Sequence, residues 1–511
     1  MTSRTALTTI LSAAAWLCLV AGLSAGVLGE GGSPAGVVFC VASALLWMPG
    51  LRTAALWMRS AARPVPAPAS LTGPRRADAD LRIALLYCVT DDVDLRAIAA
   101  SMRQDRPVDT VILDDSGDSA TQRRIDLFAA RSGCRVIRRS DRAGYKAGNL
   151  NHALSVLRGQ FDAYVICDSD VVLPTEFARV AAGALADPAV AVAQGAPDAR
   201  GGRTWFARYF GPLLTTHVAM TRRGREAHGV VAFLGRGAMV RATALDAVGG
   251  FPTAVAEDLS LTAALRRHGW RLVNVDLSFR EDYPVDYRSF RTQTRKTAEG
   301  AVEFLRRPGH LRGLPLRERI DLLLDVSMVP VTALAGVTAL MSGSVLAANG
   351  EPPPVWALAV SALSALAPLL PEAVARGRTE RIPAALMFVG LGGALYASSM
   401  FVMLGAVLRT VGGGRAVFWT TPKTARRLGL RQVLVQLGPE LILAPPLMVA
   451  TMLVSGMPLS AVGLLWPLVA SLAFLYPAMR AVAVLPVDRP RRERRLAPLR
   501  RTENSLATTR S

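Results

Sequence analysis

Lysine is nearly absent from this chain. Its 511 residues carry 59 basic side chains, yet lysine stands only at positions 146, 296 and 423. So rare a residue does no general solubilising work, and a lysine set in a glycine-rich loop is there for its compact point charge. Cysteine is scarce as well. The five cysteines, at 18, 40, 88, 134 and 167, form no CxxC pair. No disulfide framework or zinc site is implied, and a reducing compartment fits. Acid is in deficit, with 39 Asp and Glu against 59 Lys and Arg for a net charge of +20. Such an excess suits nucleic acid, anionic lipid or a cytoplasmic membrane face. Its placement decides between them. Loops 29–34, 347–354 and 455–458 hold no Lys or Arg, whereas arginines crowd 52–82, 376–381, 409–431 and 480–501. The arginines follow membrane sidedness rather than one stripe, so no nucleic-acid partner is expected.

What the chain does have is apolar sequence at both ends of a polar centre. Runs 6–28 and 35–50 are expected to form two transmembrane helices within 1–58. A cleaved signal peptide is the alternative for the first, but the immediate second run and the single Arg4 favour a membrane hairpin. An Arg/Pro/Ala-rich linker follows at 59–82. Residues 83–284 alternate short apolar runs with helical patterns, the signature of an α/β domain. Residues 285–318, with Tyr287, Phe290, Ala298, Val302, Phe304 and Leu305 among basic residues, read as amphipathic interfacial helices. From 319 to 485 the apolar runs return, at 320–346, 355–374, 382–408, 432–454 and 459–485, before a basic, disordered tail at 486–511. Arginine placement puts the α/β domain, the C-terminus and both flanks of 382–408 on the cytoplasmic side of a cell membrane. That segment is therefore expected to lie in the interface or to dip in and return, leaving six spans. Gln436 and Glu440, one helical turn apart in 432–454, are expected to face other helices or a polar conduit.

The chemistry-bearing residues gather at the ends of expected strands. Tyr164–Pro174 reads YVICDSDVVLP, an apolar strand running into Asp168 and Asp170. Alternation puts the two carboxylates on one side, where hard oxygen ligands suit Mg2+ or Mn2+, although an Asx turn reads the same way. Ile83–Thr90 ends in Asp91 and Asp92, and Val111–Leu113 in Asp114 and Asp115, as expected of an open sheet whose ligands sit at its carboxyl ends. Asp115 could accept hydrogen bonds from a base or ribose, or belong to an ordinary DSGD turn. DRAGYKAGNLNHAL, at 141–154, sets Lys146 between Gly144 and Gly148, which leave room for a phosphate. Glu257 and Asp258 open a helix, where they either complement its dipole or supply a general base.

In order, DDSGD, GYKAGNLN, DSD and AED resemble the inverting, membrane-bound family 2 glycosyltransferases, the group of cellulose, chitin and hyaluronan synthases. QTRKT at 293–297 falls where that family carries QxxRW, and FWTTPK at 418–423 resembles its FxVTxK gating loop, here within 411–427. The resemblance implies a GT-A nucleotide-sugar-binding domain inserted in a polytopic helical membrane domain. It implies a UDP-sugar donor, Mg2+ or Mn2+, and transfer with inversion to a growing β-linked glycan exported through the enzyme's own helices. By the same resemblance Asp115, Asp114 and Asp92 attend the nucleoside, with Lys146 near the nucleotide. Asp168 and Asp170 hold the metal, and Asp258, beside Glu257, is the base. Gln293 and Lys296 serve the acceptor and diphosphate, and Thr421 and Lys423 close over them. The chain departs from the pattern at Lys296 and Thr297, which replace arginine and tryptophan. Without the indole an acceptor lacks its stacking platform, unless Trp419 supplies one. The alternatives are transfer of one sugar to a lipid carrier or lipid acceptor, and a transporter or scaffold with an inert α/β domain.

Overall fold

The computed structural model describes residues 3–29, 32–62, 81–202, 204–226, 231–423 and 427–480. Most of the linker and the whole of the 486–511 tail lie outside the described residues.

Seven strands form one sheet: β1 Ile83–Val89, β2 Asp109–Asp114, β3 Arg135–Ile137, β4 Ala163–Asp168, β5 Val190–Ala199, β6 Ala238–Arg241 and β7 Arg271–Glu281. Their order is β3-β2-β1-β4-β6-β5-β7. β1 to β4 run parallel, so the carboxyl ends of β1, β2 and β4 share one edge. At that edge Asp114 aligns with Val89 and Asp168 with Cys88. β6 lies antiparallel between β4 and β5, which interrupts the parallel pattern beside the acidic edge. Leu86, Val111, Leu150 and Ile166 fill one face of the sheet, and Tyr87, Ile112, Val165 and Phe177 the other. Burial on both faces is why these strands read as unbroken apolar runs rather than alternating ones.

Among the described residues seven helices are long and apolar enough to cross a membrane: Leu7–Leu28, Pro34–Ala61, Leu316–Ala348, Val355–Thr379, Ile382–Val411, Gly438–Ser455 and Pro458–Tyr476. The second continues to Ala61, past the expected start of the linker. The run 432–454 is not one helix. It divides into Leu430–Gln436 and Gly438–Ser455, where Gly438 and Pro439 interrupt the hydrogen-bond ladder. Glu440 faces other helices, one of the two readings open to it, whereas Gln436 lines a cavity. The buried Glu440 carboxylate receives Arg291 at 2.5 and 2.9 Å and the Ser471 hydroxyl at 2.8 Å. Arg291 also donates to the Gln436 carbonyl.

Ile382–Val411 has the length and apolarity of a span, with a break between Ile382–Ser398 and Met400–Val411. Both of its ends rest on helices that leave the α/β domain. Phe388 meets Tyr209 of the helix Trp205–Glu226, ring centroids 5.9 Å apart. At the other end Ala406 and Val407 pack on Ala298 and Val302 of the helix Tyr287–Leu305, and Arg306 donates to the Val411 carbonyl at 2.5 Å. A segment that returns to the side it left predicts matched labelling. With the native cysteines removed, Thr379→Cys and Gly412→Cys should both resist an impermeant maleimide in intact cells and both react after permeabilisation. Reaction of only one in intact cells makes 382–411 a true span.

Candidate active site

The acidic edge is neutralised by lysines from two distant segments. The Lys146 ammonium sits on Asp168 Oδ1 and donates to the Gly235 carbonyl at 2.9 Å. The Lys423 ammonium donates to Asp170 Oδ2 at 2.7 Å, an oxygen that also accepts from the Asp282 amide at 3.0 Å. Burial disfavours the Asp168 charge, but Lys146, Arg236 and Lys423 prevail and hold its carboxyl well below the usual carboxylate range. For both lysines the carboxylates outweigh burial, and each ammonium is held above its ordinary range. Asp92 joins the cluster through Ser169, whose hydroxyl donates to it at 2.9 Å. The described residues hold no group of three or more His, Cys, Asp or Glu arranged around a metal. Two carboxylates already facing two cations nonetheless fit Mg2+ or Mn2+, which commonly complete their shells with substrate phosphate and water.

A bent turn aims Lys146. Gly144 and Tyr145 both take left-handed backbone, φ 72° and 51°, a conformation uncommon for a residue with a Cβ. Arg139 holds it, donating to the carbonyls of Ala143 at 2.6 Å and Tyr145 at 2.9 Å. The same guanidinium grips both oxygens of Asp115, at 2.9 and 2.6 Å. Asp115 therefore acts through Arg139 on the turn. Asp114 is turned into the fold, its oxygens accepting from Arg138 at 2.7 Å and from the Ser116 amide at 2.9 Å.

Glu257 and Asp258 open the helix Glu257–Arg267 next to this cluster. Asp258 borders Gly235, the residue whose carbonyl binds Lys146, and a Cβ there would come within 3.6 Å of it. Asp258 Oδ1 also accepts from the Leu259 amide at 2.8 Å, and both acids stand in the first turn of the helix, whose N-cap Ala256 makes no side-chain cap bond. Burial, then the negative Asp258, push Glu257 up to about 7 against the pull of Lys146 and Lys296. Lys296 is within electrostatic reach of Glu257, Asp168 and Asp258, and burial lowers it from its ordinary value. All three lysines of the chain thus converge on one site.

The loop 412–423 lies along the helix Tyr287–Leu305, antiparallel to it. The Val417 amide donates to Glu299 at 3.0 Å, the Trp419 indole to the same oxygen at 3.4 Å, and the Ser289 hydroxyl sits 2.9 Å from the Pro422 carbonyl. Glu299 is fully buried, and its other oxygen binds Arg295 at 2.9 Å and Arg409 at 2.5 Å. Phe418 lies between the Lys296 ammonium, 3.6 Å from its ring centre, and the Tyr145 ring, stacked at 5.7 Å. Trp419 instead stacks under Arg295 at 4.4 Å, away from the lysines.

The structure brings together Asp92, Lys146, Asp168, Asp170, Glu257, Asp258, Lys296 and Lys423. Gln293 is exposed; its carbonyl accepts the Thr297 hydroxyl at 3.0 Å, and its side chain makes no described contact. Thr421 is half-buried beside Lys423. Sequence reasoning missed Arg139, Glu299 and Arg236. The last grips Glu281 through both nitrogens at 2.5 Å. Only Glu299 left a trace, as an acid three residues past Lys296 on the same helix.

Compared with protein families, residues 164–485 match Glycosyl transferase family group 2. The chain belongs to that family. Its relatives include a probable glucomannan 4-beta-mannosyltransferase of Arabidopsis thaliana, 27% identical over 208 residues, covering 38% of this chain and 37% of that one. A UDP-forming cellulose synthase catalytic subunit of Komagataeibacter xylinus is 29% identical over 170 residues, covering 32% and 22%. The glycosyltransferase thus spans well under half the length of either relative. A mannosyltransferase of Pyrobaculum calidifontis, solved with GDP-Man and Mn2+, superposes with a TM-score of 0.52 at 18% identity over 73% of this chain and 98% of that one. That likeness shows the GT-A-like fold.

The glycosyltransferase's loop is predicted to depend on Glu299. Glu299→Ala strands the Val417 amide, the indole and two guanidinium groups, whereas Glu299→Gln keeps acceptors for the loop. Trypsin should cut after Arg415 at least tenfold faster in Glu299→Ala than in wild type, with Glu299→Gln between them. Equal cutting rates in all three contradict the latch.

Proposed function

We propose that this glycosyltransferase moves a hexose from a UDP-sugar, with inversion, to a β-linked glycan on the cytoplasmic face of a cell membrane. The observation that carries the reading is the convergence of the three lysines with Asp168, Asp170 and Asp258 at the carboxyl end of one sheet. A departing diphosphate develops negative charge, and preorganised cations are the most effective means of stabilising it. Lys146 on Asp168 and Lys423 on Asp170 would meet that charge, and Lys296 adds a third from the Tyr287–Leu305 helix. A bound Mg2+ or Mn2+, held by Asp168 and Asp170, supplies further neutralisation. Asp258 takes the proton of the acceptor hydroxyl, which attacks the anomeric carbon opposite the diphosphate, and in-line displacement inverts that centre. Burial pushes the neighbouring Glu257 carboxyl up to about 7.

Phe418 and Lys423 arrive on one loop, so its closure delivers a cation and a ring together and excludes water. The acceptor end is weaker. Thr297 is exposed and tied to its own helix, and Trp419 faces Arg295, so neither offers a sugar an aromatic face beside Gln293. A stacked ring adds about 0.5–1.5 kcal/mol beyond area burial, and its loss favours short products over long polymer. The membrane helices that carry Arg409 and Glu440 grip the Tyr287–Leu305 helix directly, which suits passage of product into the helical domain.

Membranes given UDP-glucose, UDP-GlcNAc, UDP-galactose and GDP-mannose, each with Mg2+ or Mn2+, should transfer from a UDP-sugar, and the product should be a short glycan. Asp170→Ala and Asp258→Asn should both lower transfer by at least a thousandfold. The first should also weaken metal-dependent UDP binding tenfold or more, while the second leaves it within about twofold. Equal loss of UDP affinity refutes these roles, and transfer from GDP-mannose alone overturns the donor.

A further inference from the structure

Between the membrane-side helix and the segment that follows the loop lies a cavity of about 490 Å3, lined by Arg288, Leu428, Arg431, Gln432, Val435 and Gln436. Its wall carries two arginines and no acid. Among the described residues neither guanidinium has a hydrogen-bond or ion-pair partner; Arg288 is half-buried and Arg431 exposed at the rim. Paired guanidinium forks are suited to a phosphate group. Apolar surface continues outward from the cavity: Leu434 and Val435 are exposed, and so are Leu441 and Ile442 on the adjoining helix Gly438–Ser455, long and apolar enough to cross a membrane.

We propose that this cavity binds the phosphate of an anionic membrane lipid, with the acyl chains along Leu434, Val435 and Ile442. The lipid would clamp the far end of the loop. Arg288 is the neighbour of Ser289, which meets the Pro422 carbonyl, and Leu428 is five residues past Lys423. A headgroup bridging Arg288 and Arg431 joins the helix that carries Lys296 to the segment that leads out of the loop. Lipid occupancy and loop closure are then linked, each favouring the other. The inference rests on the cytoplasmic-face placement proposed above, and its test reads binding without any sugar transfer.

The full chain in detergent is titrated with dioctanoyl phosphatidic acid, dioctanoyl phosphatidylcholine and inorganic phosphate, with bound ligand counted by native mass spectrometry. Phosphatidic acid should bind at least tenfold tighter than either of the others. An arginine near an anionic lipid surface contributes roughly fivefold, so Arg288→Gln with Arg431→Gln should weaken it roughly 25-fold. The pair Arg312→Gln with Arg317→Gln, exposed elsewhere on the same basic side, should leave it unchanged. Unfolding temperatures confirm that each variant folds, and the single variants serve if the double one does not. Equal binding of phosphatidylcholine means a site for acyl chains alone, and equal binding of inorganic phosphate means one for free anion. Either overturns the proposal, as does equal loss in the control pair. Phosphatidic acid should also slow tryptic cutting after Arg415 in wild type but not in the Arg288/Arg431 variant. Binding without that protection overturns the clamp.

Discussion

Two carboxylates at the end of β4 cannot lie so close together uncompensated, and the rest of the site follows from how they are compensated. At an effective dielectric near 20, unit charges 4 Å apart interact by about 4 kcal/mol. A typical net hydrogen bond is worth about 1 kcal/mol, so charge decides this geometry. Lys146 satisfies Asp168 only because Arg139 bends the 143–145 backbone, and Arg139 is in turn fixed by Asp115. Lys423 satisfies Asp170 only if the loop that carries it is brought in from the membrane domain. A sheet edge thereby dictates the position of a segment some 250 residues further along the chain.

The helix Tyr287–Leu305 carries that coupling. One of its faces receives the loop through Ser289, Arg295, Lys296 and Glu299, while Arg291 is held by Glu440 from the helical domain. Removing one partner of a buried pair of this kind strands the other charge, at a cost of about 3–5 kcal/mol. Glu299 gathers Arg409 and the loop on the same helix. The Tyr287–Leu305 helix thus touches the membrane helices and the loop that carries Lys423 at once.

Much of this was legible beforehand, for physical reasons. Buried strands announce themselves as unbroken apolar runs, and acids at their ends mark the sheet's ligand-binding edge. The scarcity of lysine pointed to Lys146, and Lys296 and Lys423 meet it at the same site. What was not legible depends on side chains meeting across long separations. Nothing in DDSGD says that Asp115 is gripped by Arg139, because the turn that makes it so forms only when β3 pairs with β2. Trp419 was read as the one aromatic able to replace the missing stacking platform, yet it lies on Arg295 and its neighbour Phe418 meets Lys296, since a one-residue step in a loop reverses which side chain points inward. Arginine placement implied that 382–408 returns to the side it left, whereas Ile382–Val411 is by length and apolarity able to cross once.

The central claim is that three lysines, and not basic charge in general, make the site. Arginine retains the charge but replaces a compact ammonium with a broad planar fork. The direct measurement is the transfer rate of Lys146→Arg, Lys296→Arg and Lys423→Arg, each in membranes at saturating nucleotide-sugar, beside Arg123→Lys and Arg312→Lys on the exposed surface. The account predicts at least a tenfold loss in each lysine variant and wild-type rates in both arginine variants. Wild-type rates in all three lysine variants would contradict it.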